Sequence, residues 1–222
     1  MIDQARIENK VPSTVPRQKI CFDEWNVWDP ARAPGEQGAE EAYTVSDALA
    51  VAVWLNVFVR QAKYIGMANI AQSVNVISPL MTTPEGIQKQ TTWWPLLLFS
   101  KYMRGSALAV HLRCGAYDGP TEPAWIRGAV ETPWLDVSAA IDNGIASLAV
   151  VNISEEKDLE AEIEGIPSGI RVGVEQMRGK EENGEVVVKS REVMVSTEEG
   201  DWQADRPFRF PKSSLTILRW KC

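Results

Sequence analysis

The sequence of 222 residues predicts two βα units followed by an antiparallel β-sandwich, a chain that is α/β in its first half and all-β in its second. Three observations carry this expectation. Before Arg104-Gly105 long helical runs alternate with short apolar runs, whereas after it short β-branched segments are punctuated by Gly, Pro and Asn. The later segments recur at a spacing of about 8–12 residues, the rhythm of a sandwich. Finally, Asp142-Asn143-Gly144 and Glu182-Asn183-Gly184 contain Asn-Gly pairs, which readily take the positive φ of tight hairpin turns.

In chain order, Ile2-Asp3-Gln4-Ala5-Arg6 reads as the middle of a helix, and the turn-rich segment 11–16 follows. Residues 19–25, Lys-Ile-Cys-Phe-Asp-Glu-Trp, read as a buried strand ending in acids. A loop rich in Pro, Gly and Glu occupies 29–40, and Thr44-Val45-Ser46-Asp47 then offers N-cap chemistry to a long apolar helix over 48–64. With Trp54, Leu55, Phe58 and Val59 at its centre, that helix is expected to be buried on more than one face. Gly66 closes it, 67–71 is a second short strand, 78–86 a loop, and 88–103 another helix with Pro95 in its first turn. Strand alternating with helix argues for parallel βαβ pairing. The second half predicts strands over 107–113, 134–141, 145–152, 159–163, 171–177, 185–188, 191–196 and 214–220.

Composition excludes several classes. With 45% hydrophobic and 24% charged residues the chain resembles ordinary folded proteins, not disordered, collagenous or coiled-coil ones. The net charge of −7 is a poor match to nucleic acid or an anionic membrane, so neither is an expected partner. Residues 122–205 hold 19 acidic against 7 basic side chains, which reads as a solvated surface. The longest strongly apolar stretch without a charge, 48–59, is well short of the ~20 residues a spanning helix needs. The first residues carry charges at Asp3, Arg6, Glu8 and Lys10 without an apolar run, so no secretory signal is expected there, and the compartment is left open. Cys21, Cys114 and Cys222 are odd in number and far apart, with no CxxC pair, so neither a disulfide framework nor a zinc site is expected. No metal-ligand cluster, Ser/His/Asp arrangement or phosphate-binding glycine loop is visible, and no cofactor is implied.

The most informative string is Cys21-Phe22-Asp23-Glu24-Trp25-Asn26-Val27-Trp28. Strand alternation places Ile20, Phe22 and Glu24 on one face and Cys21, Asp23 and Trp25 on the other. If Ile20 and Phe22 fill a barrel interior, Glu24 is the next inward residue, at the C-terminal mouth where barrels place their active sites. Trp25 and Trp28 supply apolar faces on which a sugar ring stacks, and low polarity tunes a neighbouring carboxylate. Taken alone, the residues fit a surface acid ending a strand beside core tryptophans better.

This string is similar to the nucleophile segment of glycoside hydrolase family 51, the α-L-arabinofuranosidases. The resemblance continues, in order, through Glu41-Ala42-Tyr43-Thr44 to Ala48-Leu49, then Asn69-Ile70-Ala71-Gln72-Ser73-Val74-Asn75-Val76-Ile77-Ser78-Pro79-Leu80, then Lys89-Gln90-Thr91-Thr92-Trp93-Trp94-Pro95. It covers about the first 105 residues, and the all-β half stands where the family keeps its C-terminal β-domain. The resemblance implies that 1–104 is the C-terminal part of a (β/α)8 TIM barrel, its last two βα units, and that 105–222 is a jelly-roll-like β-sandwich domain. A full barrel takes about 250 residues, so the earlier strands are missing from this chain.

By the same resemblance Glu24 is the catalytic nucleophile of a retaining double displacement that removes terminal α-L-arabinofuranosyl residues from arabinan- or arabinoxylan-type chains. Trp28 lines the arabinose site and Gln72 hydrogen-bonds the sugar or the nucleophile; Asn75 is either a further contact or a loop-capping amide. The expected partner is an arabinose-containing oligo- or polysaccharide. The chain departs from the family where the acid/base is concerned: that carboxyl comes from an Asn-Glu pair, and this sequence contains no such pair.

Glu40, Glu41 and Asp47 suit a helix N-terminus better than a substitute acid. His111, the lone histidine, reads as a packed or exposed residue of a sandwich strand, and Trp93 and Trp94 as packing against the sandwich. Two alternatives stand beside the enzyme: a truncated, non-catalytic fragment whose sandwich has a structural or carbohydrate-contacting role, and a partner that completes a barrel with an upstream segment or a second copy.

Overall fold

The computed structural model describes residues 2–28, 40–119, 131–182, 185–187 and 189–222. Helix α1 (Ile2–Glu8) leads to strand β1 (Ile20–Trp25), helix α2 (Val45–Arg60), strand β2 (Ile65–Ile70), strands β3 (Leu80–Thr83) and β4 (Gly86–Lys89), and helix α3 (Trp93–Tyr102). Short strands β5 (Ser106–Leu108), β6 (Ala116–Tyr117) and β7 (Thr132–Pro133) precede the long pair β8 (Leu135–Asp142) and β9 (Ile145–Asn152). The rest is β10 (Leu159–Ala161), β11 (Arg171–Gly179), β12 (Glu181–Glu182), β13 (Glu185–Val186), β14 (Val193–Asp201), β15 (Phe208–Phe210) and β16 (Ser214–Lys221).

The strand–helix–strand unit expected in the first half is present: β1 and β2 pair in parallel, joined through α2. Helix α2 starts where the sequence offers a cap, since the Asp47 carboxylate accepts bonds from Thr44 N and Thr44 Oγ1, each 2.8 Å long. Its residues Val45, Ala48, Leu49 and Ala52 recur at helical spacing and pack with Leu98 and Phe99 of α3 on Ala149, Val151, Met177, Leu215 and Ile217 of the sheet. Trp54 and Phe58 leave α2 in another direction, toward Phe22 and Trp25 of β1. The helix thus packs on two sides, but only the sheet side is buried: toward β1, Trp54 stays 38% exposed, so the expected burial on more than one face holds only in part.

The antiparallel sheet expected in the second half has six strands in the order β14-β11-β16-β9-β8-β5. The β8–β9 hairpin turns on Asn143 (φ 48°) and Gly144 (φ 76°), the positive-φ pair that its sequence announces. β9 is apolar on both faces because both are covered: Ala149 and Val151 meet the helices, Leu148 and Val150 the opposite layer. That layer is the β10–β15 pair with Trp202 and Ile166, and it closes a second core over Leu135, Val137, Val172 and Leu218. Gly105 (φ 82°) carries the chain from α3 into β5, where an added Cβ would lie 2.2 Å from Ile141 O.

Several expectations are corrected. The 78–86 loop contains a hairpin, β3–β4, which takes Gln88 and Lys89 out of the expected helix. Gln90 Nε2 donates to the carbonyls of Glu41 and Ser78, and Thr91 Oγ1 to that of Thr44, so these residues anchor a loop and α3 begins only at Trp93. The strand expected over 107–113 shrinks to Ser106–Leu108, leaving His111 exposed outside any strand. β14 runs on to Asp201, five residues beyond the expected end, because its whole length pairs with β11. The loop expected over 29–40, save Glu40, and the Asn183-Gly184 turn lie outside the described residues, though β12 and β13 flank that turn as an antiparallel pair.

No helix among the described residues is long and apolar enough to cross a membrane. All three cysteines are free and exposed.

Candidate active site

The parallel pairing of β1 and β2 sets Trp25 beside Ile70. Glu24 therefore stands one residue before that level, with Trp28 three residues beyond it on one loop and Gln72 two residues beyond it on the other. The three residues predicted from the sequence share the C-terminal end of this strand pair, and all are exposed, Trp28 at 61%. A carboxylate, an indole face and a carboxamide at one strand end are the groups a sugar site uses: a nucleophile, a stacking surface and a hydrogen-bonding amide.

Strict alternation fails in β1. Three residues of β1 span the interval that two span in β2, so the strand bulges between Phe22 and Trp25. Phe22 and Trp25 consequently both turn toward α2: Phe22 lies 5.8 Å from Trp54 and 5.7 Å from Phe58, and Trp25 meets Phe58 edge-on at 5.0 Å. Phe22 thus belongs to the helix side, contrary to the expectation that groups it with Glu24. Asp23 and Glu24, in the bulge, are left exposed. Trp25, only 6% exposed, is the anchor of the strand and not a sugar platform.

Side-chain amides tie the loops of this end together. Asn26 Nδ2 donates to Ala71 O at 2.7 Å and also to Ile77 O, while Asn26 Oδ1 accepts from Val27 N at 2.8 Å. Tyr43 Oη donates to Val27 O at 2.8 Å, and Gln90 Oε1 accepts from Tyr43 N at 2.9 Å. Asn75 (φ 66°) caps a loop: its Oδ1 accepts from Thr82 N and Thr82 Oγ1, at 2.8 and 3.0 Å. Of its two readings, the structure displays the structural one. Ala71 and Gln72 are joined by a cis peptide. Sequence reasoning missed Asn26, Tyr43 and Gln90 as site-building residues. The available signal was an amide set between Trp25 and Trp28, directly after a strand that ends in acids.

The remaining candidates fall elsewhere. Asp47 is the capping acid of α2, Glu41 is buried and Glu40 is exposed. Trp94 packs at the margin of the helix–sheet core, and Lys89 Nζ lies 5.6 and 5.8 Å from the ring centres of Trp93 and Trp94. Among the described residues no three His, Cys, Asp or Glu side chains gather to hold a metal ion. A groove of about 230 Å³ on the sheet half, lined by Val172, Val174, Trp202, Arg206 and Phe208 among others, includes none of the three candidates.

Residues 23–214 match the family profile described as the Alpha-L-arabinofuranosidase C-terminal domain. The chain is 55% identical over 230 residues to Alpha-L-arabinofuranosidase C of Emericella nidulans, and 58% identical over 231 residues to a probable alpha-L-arabinofuranosidase C of Aspergillus niger. Each alignment covers 100% of this chain and 43% of the relative, so the chain spans less than half the length of these curated relatives. In fold it is similar to the alpha-L-arabinofuranosidase of Thermotoga maritima, solved as an arabinose complex, with a TM-score of 0.75 and 20% identity over 92% of this chain and 43% of that one.

Proposed function

From the premise that the chain belongs to the C-terminal domain family of the glycoside hydrolase family 51 α-L-arabinofuranosidases, we propose that it contributes the nucleophile half of a retaining arabinofuranosidase site. In this reading Glu24 attacks the anomeric carbon of a terminal α-L-arabinofuranosyl residue, the glycosidic C–O bond breaks as the aglycone leaves with a proton on its oxygen, and water hydrolyses the resulting glycosyl ester to arabinose and the free carboxylate. Trp28 offers its exposed ring to the furanose and Gln72 its amide to the hydroxyls. The observation that supports it best is the placement of Glu24, Trp28 and Gln72 at one end of a parallel strand pair. Residues 1–104 are the last two βα units of a barrel in this account, and 105–222 a jelly-roll-like sandwich.

The reaction also needs a proton donor, with the two carboxyl groups of a retaining site about 5–5.5 Å apart. We assign that donor to a further barrel segment that carries the Asn-Glu pair and is brought against β1 and β2. The substrate class is an arabinose-containing oligo- or polysaccharide. The test is hydrolysis of an aryl α-L-arabinofuranoside by the chain beside Glu24→Gln: turnover that the substitution abolishes supports the reading, and equal turnover in both contradicts it. A second reading, a carbohydrate-contacting sheet module, draws on the groove beside Trp202 and Phe208, and predicts arabinan binding that Trp28→Ala leaves unchanged.

A further inference from the structure

We propose that Asn26 is a positioning residue that sets the spacing between the Glu24 strand and the Gln72 loop, an inference that rests on the reading of Glu24 and Gln72 given above. The side-chain amide of Asn26 serves three backbone groups from two loops. Its Nδ2 donates to Ala71 O and Ile77 O, and its Oδ1 accepts from Val27 N. The Ala71 carbonyl belongs to the peptide that leads directly into Gln72, and Val27 immediately precedes Trp28. One side chain, two residues after Glu24, therefore fixes both groups that meet the sugar. Backbone bonds complete the same junction: Ala71 N donates to Trp25 O at 3.0 Å and Gln72 N to Ile77 O at 3.1 Å.

The chemistry at this position is specific. Two carbonyls require two N–H donors and one N–H requires an acceptor, all within reach of a short side chain, which is the inventory of asparagine. Aspartate has the same shape but turns lone pairs on both carbonyls, so it drives the Ala71 and Ile77 carbonyls away. Serine keeps one donor. An error of about 1 Å between reacting groups costs on the order of 10²-fold in rate, so a junction that shifts Gln72 against Glu24 by that much slows the step without removing any group that touches the sugar.

The experiment compares the unmodified chain, Asn26→Asp and Asn26→Ser on phenyl and 2,4-dinitrophenyl α-L-arabinofuranosides, at a temperature where near-ultraviolet circular dichroism reports folded protein. With dinitrophenol as leaving group, hydrolysis of the glycosyl ester limits kcat, whereas with phenol the attack by Glu24 limits it, so a misplaced nucleophile lowers kcat first on the phenyl substrate. Asn26→Asp is therefore expected to lose about 100-fold in kcat on the phenyl substrate and markedly less on the dinitrophenyl one. A partly unfolded population lowers both by the same factor, so equal losses, or none, overturn the positioning role. Should Asn26→Asp fail to fold, Asn26→Ser carries the test, with a smaller loss skewed toward the phenyl substrate. Absence of turnover by the unmodified chain on the dinitrophenyl substrate, whose leaving group departs without a proton donor, overturns the reading of the site and this proposal with it. Turnover that the Asn26 variants leave unskewed overturns the proposal alone.

Discussion

Glu175 on β11 and Arg219 on β16 form an ion pair inside the sheet, with Arg219 Nη2 2.7 Å from Glu175 Oε1 and the glutamate only 2% exposed. Thr197 Oγ1 donates to the other carboxylate oxygen at 2.6 Å, and the guanidinium lies 4.3 Å from the Tyr102 ring centre. One charge pair thus joins β11, β14 and β16 to the end of α3, the helix that follows the candidate site. Burial pushes the Glu175 carboxyl up, but hydrogen bonds from Thr197, Arg219 and Tyr102 outweigh it and hold the group below its ordinary value.

The pH dependence follows from that sign. A carboxyl with a lowered folded value binds fewer protons when folded, so its stabilisation is present above the unfolded glutamate value of about 4.5 and is lost as pH falls through the lower folded value. Urea midpoints measured from pH 6 downward are expected to fall below about pH 4.5 in the unmodified chain, and Glu175→Gln is expected to flatten that limb. Glu175→Ala, which leaves the guanidinium without its partner in the sheet, is expected to lose about 3 kcal/mol at neutral pH.

Trp25 bears on the stability of the strand that carries Glu24. Its ring is buried against Trp54 and Phe58 of α2, so Trp25→Ala opens a large cavity and is expected to cost about 3–5 kcal/mol in chemical denaturation. Because the two rings touch, Trp25→Ala and Phe58→Ala should be non-additive; additive losses would mean that the cluster does not act as one unit.

Trp28 should behave in the opposite way. At 61% exposure its removal is expected to change stability by less than about 0.5 kcal/mol. If it is the stacking surface for arabinose, Trp28→Ala raises KM for an aryl arabinofuranoside with the unfolding midpoint unmoved. A large stability loss with unchanged KM would assign it to packing instead.

Gly105 and Gly144 provide a matched comparison in the sheet. Both have positive φ, 82° and 76°, but a Cβ at Gly105 meets Ile141 O at 2.2 Å, whereas one at Gly144 meets nothing within 4 Å. Gly144→Ala is expected to cost about 1 kcal/mol from backbone strain alone, and Gly105→Ala clearly more, since β5 must move away from β8. Thermal denaturation of the two variants reads the difference.

The parts of the fold that were legible in the sequence are those in which local chemistry and tertiary packing agree. The Asn143-Gly144 turn, the Thr44–Asp47 cap and the apolar run of α2 each announce themselves because turn geometry, capping and burial require the same residues. The parallel β1–β2 pairing and the shared strand end of Glu24 and Gln72 follow from the strand–helix–strand order. What was hidden depends on long-range partners. The β3–β4 hairpin is short and glycine-containing, and is flanked by Asn75, which accepts from Thr82 seven residues on, and Gln90, which donates to the Ser78 and Glu41 carbonyls 12 and 49 residues back, partners that no local periodicity reveals. The bulge in β1 is set by pairing with β2, so period-two reading put Phe22 on the wrong side. The junction at Asn26 is invisible for the same reason, since two of its three partners lie 45 and 51 residues away.

The most direct test of the central claim, that Glu24 is the nucleophile, is mass spectrometry of the chain quenched with acid during turnover of a dinitrophenyl α-L-arabinofuranoside. The account predicts a peptide containing Glu24 that is heavier by one dehydrated pentose, and no such adduct in Glu24→Gln. Turnover accompanied by an adduct on another carboxylate, or an adduct that survives Glu24→Gln, would contradict it.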